Sequence, residues 1–258
     1  MNAPAALCNA RLPRWLLPSD WPCHAGQPVL ADLTLDAGRV SAVSPAEAAA
    51  GHTHDWDLQG ALVLPGLIEA HAHIDKTFTL PRMGKVQPGL LGAIDAMMAD
   101  RLHWTAADVH ARASRALDWA WTAGCVHLRT HVDWWEADST PVAWDVVASL
   151  AKEWKGRIHL EQVSLIKLTL FQDLAQARRL ARQVAATGAH ALLGAFVHTS
   201  NWDEQALRHV FVAAGEAGLD VDLHVDEELN PQAQGLATTA LIMRETGFSG
   251  RVVCGHNC

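Results

Sequence analysis

Apolar and polar residues alternate in blocks along most of this chain. From about residue 60 onward, a short apolar run is followed by a polar loop, a stretch with the apolar spacing of an amphipathic helix, and a glycine or turn. The apolar runs begin near Cys125, Ile158, His190, Asp220 and Arg251, about 30 to 33 residues apart, which is the length of a βα unit. Helical spacing covers residues 106–123, 142–154, 174–186 and 204–216.

This alternation predicts a parallel sheet covered by helices, either doubly wound or closed into a barrel. No Gly-x-Gly-x-x-Gly motif follows a predicted strand, so a dinucleotide-binding fold is not supported and we predict a TIM-like (β/α) barrel. The run that starts at Leu62 and the five later runs make about six of the usual eight βα units. We therefore expect an incomplete barrel, truncated after strand six, and a gene product about 100 to 150 residues longer.

The first 60 residues have a different pattern. Residues 29–43 alternate apolar and polar side chains on both sides of the turn Asp36-Ala37-Gly38-Arg39, which predicts a β-hairpin. The Ala-rich residues 45–51 are predicted to form a loop or a short helix, and residues 62–68 to begin a more buried region. We place a domain boundary near Gly60, with a small β domain at 1–60 and the barrel at 61–258.

Composition excludes several classes of protein. Half of the 258 residues are apolar, which is enough for a full core, and a net charge of −8 without a basic stripe argues against nucleic-acid polymers as partners. The five cysteines are odd in number and form no Cys-x-x-Cys pair, so a reducing cytoplasm is predicted. No apolar run reaches the length of a membrane span, and the N-terminus has no signal-peptide pattern.

A His-x-His pair is the first indication of chemistry. Side chains alternate faces along a strand, so His71 and His73, at the end of an apolar run, are predicted to point the same way. Alone the pair is weak, because 15 histidines produce such pairs by chance and partly buried histidines bonded to the backbone are common. His224 and Glu227 follow another apolar run, and three imidazoles with a nearby carboxylate are the parts of a hydrolytic metal site.

The positions of the polar residues favour the metal site over buried structural histidines. They fall at the C-terminal ends of six predicted strands, where barrel enzymes place their chemistry. These residues are His71, His73, His131, Asp133, Lys167, His198, His224, Glu227 and His256. Lys76 also belongs to this region, although the roles of His131, Asp133, His198 and Lys76 follow from strand position alone.

The ordered motifs resemble the amidohydrolase superfamily, and within it the cytosine deaminase-like branch. They are PGLIEAHAHIDK at 65–76, RTHVD at 129–133, HVDE at 224–227 and VVCGH at 252–256. The resemblance implies that the hairpin is the N-terminal part of a β-sandwich domain at 1–60. It also implies that His71, His73 and His224 bind one divalent ion, zinc or iron, with a last carboxylate ligand from a strand eight that this chain lacks. The barrel at 61–258 would then carry a cytoplasmic, metal-dependent aminohydrolase.

The same resemblance assigns proton transfer to Glu227 and stabilisation of the attacking hydroxide to His256. Strand alternation instead nominates Asp226 as the partner of His224, because residue i+2 shares a face and residue i+3 does not. The proton-transfer role of Glu227 requires the strand to end at about Val225. The acidic run that follows and Asn230-Pro231 are consistent with such a break.

The expected reaction is hydrolytic deamination of a pyrimidine, triazine or related ring by a metal-bound hydroxide. Lys167, Lys76 and His198 are the predicted substrate-binding residues. By the same resemblance, Lys167 stands where cytosine-specific relatives use a glutamine; a lysine lacks the acceptor that glutamine offers, which argues against cytosine as the substrate. One alternative is a binuclear cyclic amide or amidine hydrolase with a carboxylated Lys167; another is an inactive fragment that is stable only with another chain. Several of the 11 tryptophans suit contacts between subunits, so a homo-oligomer is among the expected partners.

Overall fold

The computed structural model describes residues 4–46 and 55–256. The chain divides into two compact units, Met1–Pro65 and Gly66–Cys258. The assignment of these regions to a β-sandwich domain and a barrel domain stays a prediction. The predicted loop or short helix at 45–51 lies largely outside the described residues.

The first unit is built of short strands. They are β1 (Ala6–Ala10), β2 (Cys23–His24), β3 (Gln27–Pro28), β4 (Ala31–Asp36), β5 (Arg39–Pro45) and β6 (Trp56–Asp57). Strands β4 and β5 pair antiparallel around Asp36 and Arg39, which confirms the predicted hairpin. The four-stranded sheet has the order β5-β4-β1-β6, and its small core contains Leu12, Trp21 and Leu33.

The second unit alternates strands and helices. In chain order they are β7 (Leu67–Ala72), α1 (Leu90–Arg101), α2 (Ala106–Thr122), β8 (Cys125–Trp134), α3 (Val142–Glu153), β9 (His159–Lys167), α4 (Leu174–Ala185), β10 (Ala191–Val197), α5 (Glu204–Ala217), β11 (Val221–Val225), α6 (Gly235–Thr246) and β12 (Val252–His256). The six strands form one sheet in the order β12-β11-β10-β9-β8-β7, and every pairing is parallel. This confirms the predicted TIM-like barrel with six βα units.

Burial explains why the strands read as almost continuous apolar runs. Strands β10 and β11 are buried along their whole length, because helices cover one face and the opposite strands cover the other. Alternate residues of β8 divide between these faces: Leu128 and Val132 join the core beneath the helices, whereas His131 and Asp222 of β11 meet on the other face.

Polar residues fix where several helices begin. The side chains of Thr105, Asp173 and Asp203 accept hydrogen bonds from backbone N–H groups in the first turns of α2, α4 and α5, respectively. These caps satisfy donors that a helix leaves without an internal partner. These three helices therefore start at a defined residue, which fixes the length of the loop before each of them.

Two local predictions are wrong. The first barrel strand begins at Leu67 rather than Leu62, and Leu62, Leu67 and Ile68 are 58%, 52% and 69% exposed, so residues 62–68 do not enter a buried region. Strand β7 is an edge strand that pairs, among the described residues, with β8 alone, so its outer apolar side chains stay in contact with water.

Helices α1 and α6 were not predicted. In α1 the apolar side chains are spread around the helix, which hides the usual amphipathic spacing, and its N-terminal Gly89 offers no side-chain cap. In contrast, α6 begins where the Asp226 carboxylate, nine and ten residues earlier, accepts two backbone hydrogen bonds. A pattern of neighbouring apolar and polar residues does not predict this contact. Among the described residues, no helix combines the length and apolar content needed to cross a membrane.

Candidate metal centre

Four histidines gather at the C-terminal ends of three strands. His71 lies on β7 and His73 just beyond it, His131 lies on β8, and His224 lies on β11. Each offers one ring nitrogen, and these four nitrogens all lie within 4.8 Å of one another. Nε2 of His73 and Nε2 of His224 lie 3.1 Å apart. The strand pattern thus brings together the three predicted ligands and adds a fourth imidazole.

Burial favours the neutral form of the three predicted ligands, His71, His73 and His224. Burial, followed by electrostatic repulsion between a protonated His71 and the neighbouring histidine ring of β8, lowers the pKa of His71 to about 4. Burial is also the main cause that lowers the pKa of His73 and of His224, with further contributions from Lys76 and the other histidines. A neutral imidazole has a free lone pair, which is the form that ligates a metal ion.

The cluster fits a divalent ion by an independent observation. Nε2 of His71, Nδ1 of His131 and Nδ1 of His224 are buried and have no hydrogen-bond partner among the described residues. Unpartnered buried polar atoms are rare, and a bound ion is one of the accepted explanations. His73 donates from Nδ1 to the carbonyl oxygen of His131 at 3.2 Å, which leaves its Nε2 lone pair for ligation. Imidazole donors suit both zinc and iron.

Strand β12 leaves space for the cluster at one glycine. A Cβ atom on Gly255 would lie 3.2 Å from two ring atoms of His71, closer than side chains normally approach. Glycine at this position therefore allows the His71 ring to pack against the strand backbone.

His131 is the residue that the sequence reasoning undervalued. It is fully buried, its ring stacks on His71 with centroids 4.1 Å apart, and its Nε2 lies 3.1 Å from Oδ1 of Asp222. The other Asp222 oxygen accepts a 2.8 Å hydrogen bond from Arg129. A carboxylate behind a histidine fixes the ring orientation and tautomer. The available signal was alternation, since Arg129 and Asp222 each precede a cluster histidine by two residues on the same face.

We expect Asp222→Asn to lower the free energy of unfolding of the metal-free chain by about 3 kcal/mol, because the change removes the carboxylate that contacts fully buried His131 and one of the two carboxylates that bind Arg129. Urea denaturation measures this loss. The matched control is Asp220→Asn, two residues earlier in the chain. Its partner Arg251 is 86% exposed, so we expect a loss of less than about 1 kcal/mol. Equal losses in the two variants would contradict a structural role for the Asp222–His131 contact.

The structure separates the two acids that follow β11. The strand ends at Val225, and Asp226 has a φ of 54°, which breaks the alternation of faces. The Asp226 carboxylate accepts hydrogen bonds from the backbone N–H groups of Gly235 and Leu236 at 3.0 and 2.9 Å and so holds the start of α6. Asp226 is thereby committed to the fold, whereas Glu227 lines a cavity beside His224.

His256 belongs to the same neighbourhood. Its Nδ1 lies 3.4 Å from Oε1 of Glu227, and its ring centroid lies 4.6 Å from that of His224. The backbone of His256 has a φ of 73°, at the very end of β12. The histidine and the glutamate are therefore neighbours just at or beyond the ends of two adjacent strands.

A cavity of about 170 Å³ opens beside the histidines. One wall is polar and contains His73, Lys76, Asp133, His224 and Glu227. The opposite walls are apolar: helix α1 supplies Leu90, Ala93, Ile94, Met97 and Met98, and the strand ends supply Trp135, Leu165 and Phe196. A small cleft with one polar wall and flat aromatic surfaces is suited to a planar heterocycle.

Lys76 is held as a cation on the polar wall. Its Nζ lies 2.8 Å from Oδ1 of Asp133. Burial disfavours the ammonium, but the carboxylates of Asp133 and Asp75 outweigh burial and raise the pKa of Lys76. The pair presents a donor and an acceptor side by side at the cavity.

Two predicted substrate-binding residues lie outside the cavity wall. Nζ of Lys167 is 5.0 Å from the ring centroid of Trp135 and makes a cation–π contact with it. Trp135 lines the cavity, whereas Lys167 itself does not. His198 accepts a hydrogen bond from the backbone N–H of Ser200 at Nδ1, and its Nε2 lies 3.7 Å from Glu228. Its role in substrate binding stays a prediction, as do the assigned roles of the other site residues.

Comparison with known proteins adds three findings. No protein-family model matches the sequence. The chain is 31% identical over 229 residues to a pterin deaminase from Rhizobium rhizogenes, covering 88% of this chain and 52% of the relative. It is 28% identical over 208 residues to an N-isopropylammelide isopropyl amidohydrolase from Pseudomonas, covering 78% and 51%. The chain thus spans about half the length of the curated relatives it matches.

A solved structure is similar over almost the whole chain. It is 5-methylcytosine deaminase from Klebsiella pneumoniae liganded with phosphonocytosine, with a TM-score of 0.78 and 26% identity. The match covers 98% of this chain and 59% of that one. The similarity extends through both units and agrees with the incomplete barrel described above.

Proposed function

The chain belongs to the amidohydrolase superfamily, and we propose that the protein deaminates a small N-heterocycle by metal-dependent hydrolysis. The observation that carries the proposal is the histidine cluster, two members of which, His73 and His224, line one cavity together with Glu227 and two aromatic side chains. The names of the relatives support it, because pterin deaminase and 5-methylcytosine deaminase both remove an amino group from a nitrogen heterocycle. Since the chain spans about half of its relatives, the activity is proposed for the whole protein.

His71, His73 and His224 would hold one zinc or ferrous ion, with His131 beside them. When bound, the ion would supply a water activated as a nucleophile near neutral pH. The chain's own residues do the rest. Trp135 and Phe196 offer faces on which a planar ring stacks, and Lys76 with Asp133 offers a donor and an acceptor to groups on its edge.

Glu227 moves the proton in this proposal. The reaction forms a carbon–oxygen bond, breaks the carbon–nitrogen bond to the amino group, and releases ammonia, so one proton must travel from water to the leaving amine. Glu227 accepts that proton and delivers it to a ring nitrogen or to the amine. His256, 3.4 Å from Oε1 of Glu227, would stabilise the negative charge on the oxygen that adds to the ring carbon.

The test is ammonia release from a panel of aminated pyrimidines, triazines and pterins. It is run on this 258-residue chain and, if the gene encodes more, on the whole gene product. We expect ammonia release from at least one aromatic ring, dependent on added zinc or iron. Absence of ammonia, together with opening of a cyclic amide by the whole gene product, would contradict the proposal and favour a ring-opening hydrolase.

The structure gives no support to the binuclear alternative. That reaction needs a carboxylated lysine between two ions, whereas Nζ of Lys167 lies 5.0 Å from the centroid of the Trp135 ring. The three predicted ligands and His131 form one compact cluster, which is the arrangement expected for a single ion.

We expect Lys167→Gln to shift substrate preference by about tenfold toward neutral aminopyrimidines and away from rings with negative charge. The lysine places a positive charge behind the Trp135 surface, and that charge favours an electron-rich or anionic ring in the cavity. The measurement is the ratio of kcat/KM for a charged and a neutral ring. Lys155→Gln, which removes the same charge from an exposed position, is the control. An unchanged ratio in the Lys167 variant would show that the lysine does not affect substrate choice.

A further inference from the structure

A second group of ligand-type side chains lies at the other end of the sheet. His127 is on β8, and His159 and Glu161 are on β9, near the N-terminal ends of both strands. One ligand atom from each residue lies within 4.8 Å of the others. Nothing in the proposed reaction uses these residues.

The strand register explains why the three side chains meet. His127 pairs directly with His159, and Arg129 pairs with Glu161. His127, Arg129 and His131 share one face of β8 because side chains alternate, so His127 lies on the same face as the first cluster. Four residues of strand separate His127 from His131, about 13 Å at 3.3 Å per residue, so the two groups cannot share one ion.

The contacts within the group are close. Nε2 of His127 is 3.3 Å from Oε2 of Glu161, and the rings of His127 and His159 meet edge to face with centroids 4.7 Å apart. His127 and Glu161 are one-third and one-sixth exposed, and His159 is exposed, so an ion from solution can reach all three. Two imidazoles and one carboxylate on neighbouring strands match the donor set of many zinc sites.

Arg129 is the positive charge that a cation would meet. It donates to Oε2 of Glu161 at 2.8 Å, and its other side donates to Asp222. Two carboxylates therefore surround one guanidinium, which leaves a net negative charge around Arg129. Burial opposes ionisation of Glu161, but Arg129 outweighs it and holds the pKa of that carboxyl below its usual value. The contacts of Arg129 and His127 both end on Oε2, so Oε1 remains for a metal ion.

We propose that His127, His159 and Glu161 form a second divalent-metal site that takes zinc and cross-links β8 with β9 at the N-terminal end of the barrel. This site is independent of the proposed deaminase centre. An ion that binds the folded chain more tightly than the unfolded chain raises the melting temperature as its concentration increases. The expected role is therefore stabilisation of two strands that lie far from the reacting groups.

The experiment is a zinc titration of the metal-free chain by calorimetry, repeated with cobalt(II) and followed by visible absorption. We expect two binding events in the unchanged protein. His159→Gln should weaken one event at least tenfold and keep the other. His73→Gln should do the reverse, removing the event assigned to the candidate metal centre. His110→Gln is the matched control, since His110 is also an exposed histidine beside a glutamate, Glu153, and should change neither event.

The outcomes are decisive for each site separately. The proposal would be overturned if His159→Gln and His127→Gln both kept two undiminished zinc-binding events. It would also be overturned if the unchanged protein showed only one event and His73→Gln lost it, or if the unchanged protein bound no zinc. A single event lost in His159→Gln and kept in His73→Gln would support this site while contradicting the metal centre of the proposed function. If Lys167→Gln lost one of the two zinc-binding events while His159→Gln kept both, the proposal would be overturned. Both ions would then lie near the first cluster. Circular dichroism checks the fold of each variant, and His127→Gln replaces His159→Gln where needed.

Discussion

Replacing His73 or His224 with alanine should remove the metal from the candidate centre and abolish turnover together. Each change deletes one imidazole from a group whose ring nitrogens lie within 4.8 Å, so the remaining donors no longer enclose an ion. We expect the affinity for zinc at this centre to fall at least a hundredfold, roughly the upper end of the effect of disturbing the supporting shell of a metal ligand. Metal analysis after dialysis and ammonia release from the best ring substrate measure the two losses.

The same result is expected for His71→Ala, and the control is His110→Ala, because His110 is a partly exposed residue of α2 whose ring contacts Glu153 of α3. The control should keep both metal and turnover. Full metal occupancy in all three cluster variants would mean that these histidines are structural and that the metal assignment is wrong. Retained metal in only one variant would instead show that His131 replaces that ligand, since its nitrogen lies within the same 4.8 Å group.

Glu227→Gln should keep the metal while turnover falls about a hundredfold or more, which is the usual loss when a general acid–base group is removed. The substitution preserves the shape of the side chain and removes only its ability to exchange a proton. Glu227 lines the cavity next to His224 and lies 3.4 Å from His256, so it is placed to serve a bound ring. The measurement is kcat with metal content determined on the same sample.

Asp226→Asn provides the opposite pattern and is the matched comparison. Asp226 accepts two backbone hydrogen bonds at the start of α6, and its negative charge lies at the positive end of that helix. We expect a loss of about 1 kcal/mol in stability with turnover reduced far less than in Glu227→Gln. Wild-type turnover in Glu227→Gln, with a large loss in Asp226→Asn, would transfer the proton-moving role to Asp226.

The sequence alone determined the features that depend on local periodicity. Runs of apolar residues about 30 residues apart predicted six parallel strands, and the observed strands begin within a few residues of five of those predictions. Alternation along a strand predicted that His71 and His73 point the same way, and the apolar run before His224 predicted a third imidazole at the same end of the sheet. These predictions succeed because the face of a side chain and the direction of a parallel strand are set by the backbone itself.

Other parts of the site needed contacts between residues far apart in the chain. Helix α1 carries no clear amphipathic pattern, so its place as the apolar wall of the cavity followed only from the structure. The choice between Asp226 and Glu227 rested on the φ of 54° at Asp226 and on its hydrogen bonds to α6 nine and ten residues later. Local pattern cannot decide this, because both acids follow the same strand end.

The tertiary structure also decided the partners of the charged groups. Asp222 lies 91 residues from His131 and 93 from Arg129 in sequence, yet contacts both in the folded chain. Nζ of Lys167 lies 5.0 Å from the centroid of the Trp135 ring, a contact between two strand ends that no local pattern predicts. Periodicity assigns each side chain to a face of the sheet, but the curvature of the sheet determines which side chains meet across it, and that curvature arises from packing of the whole barrel.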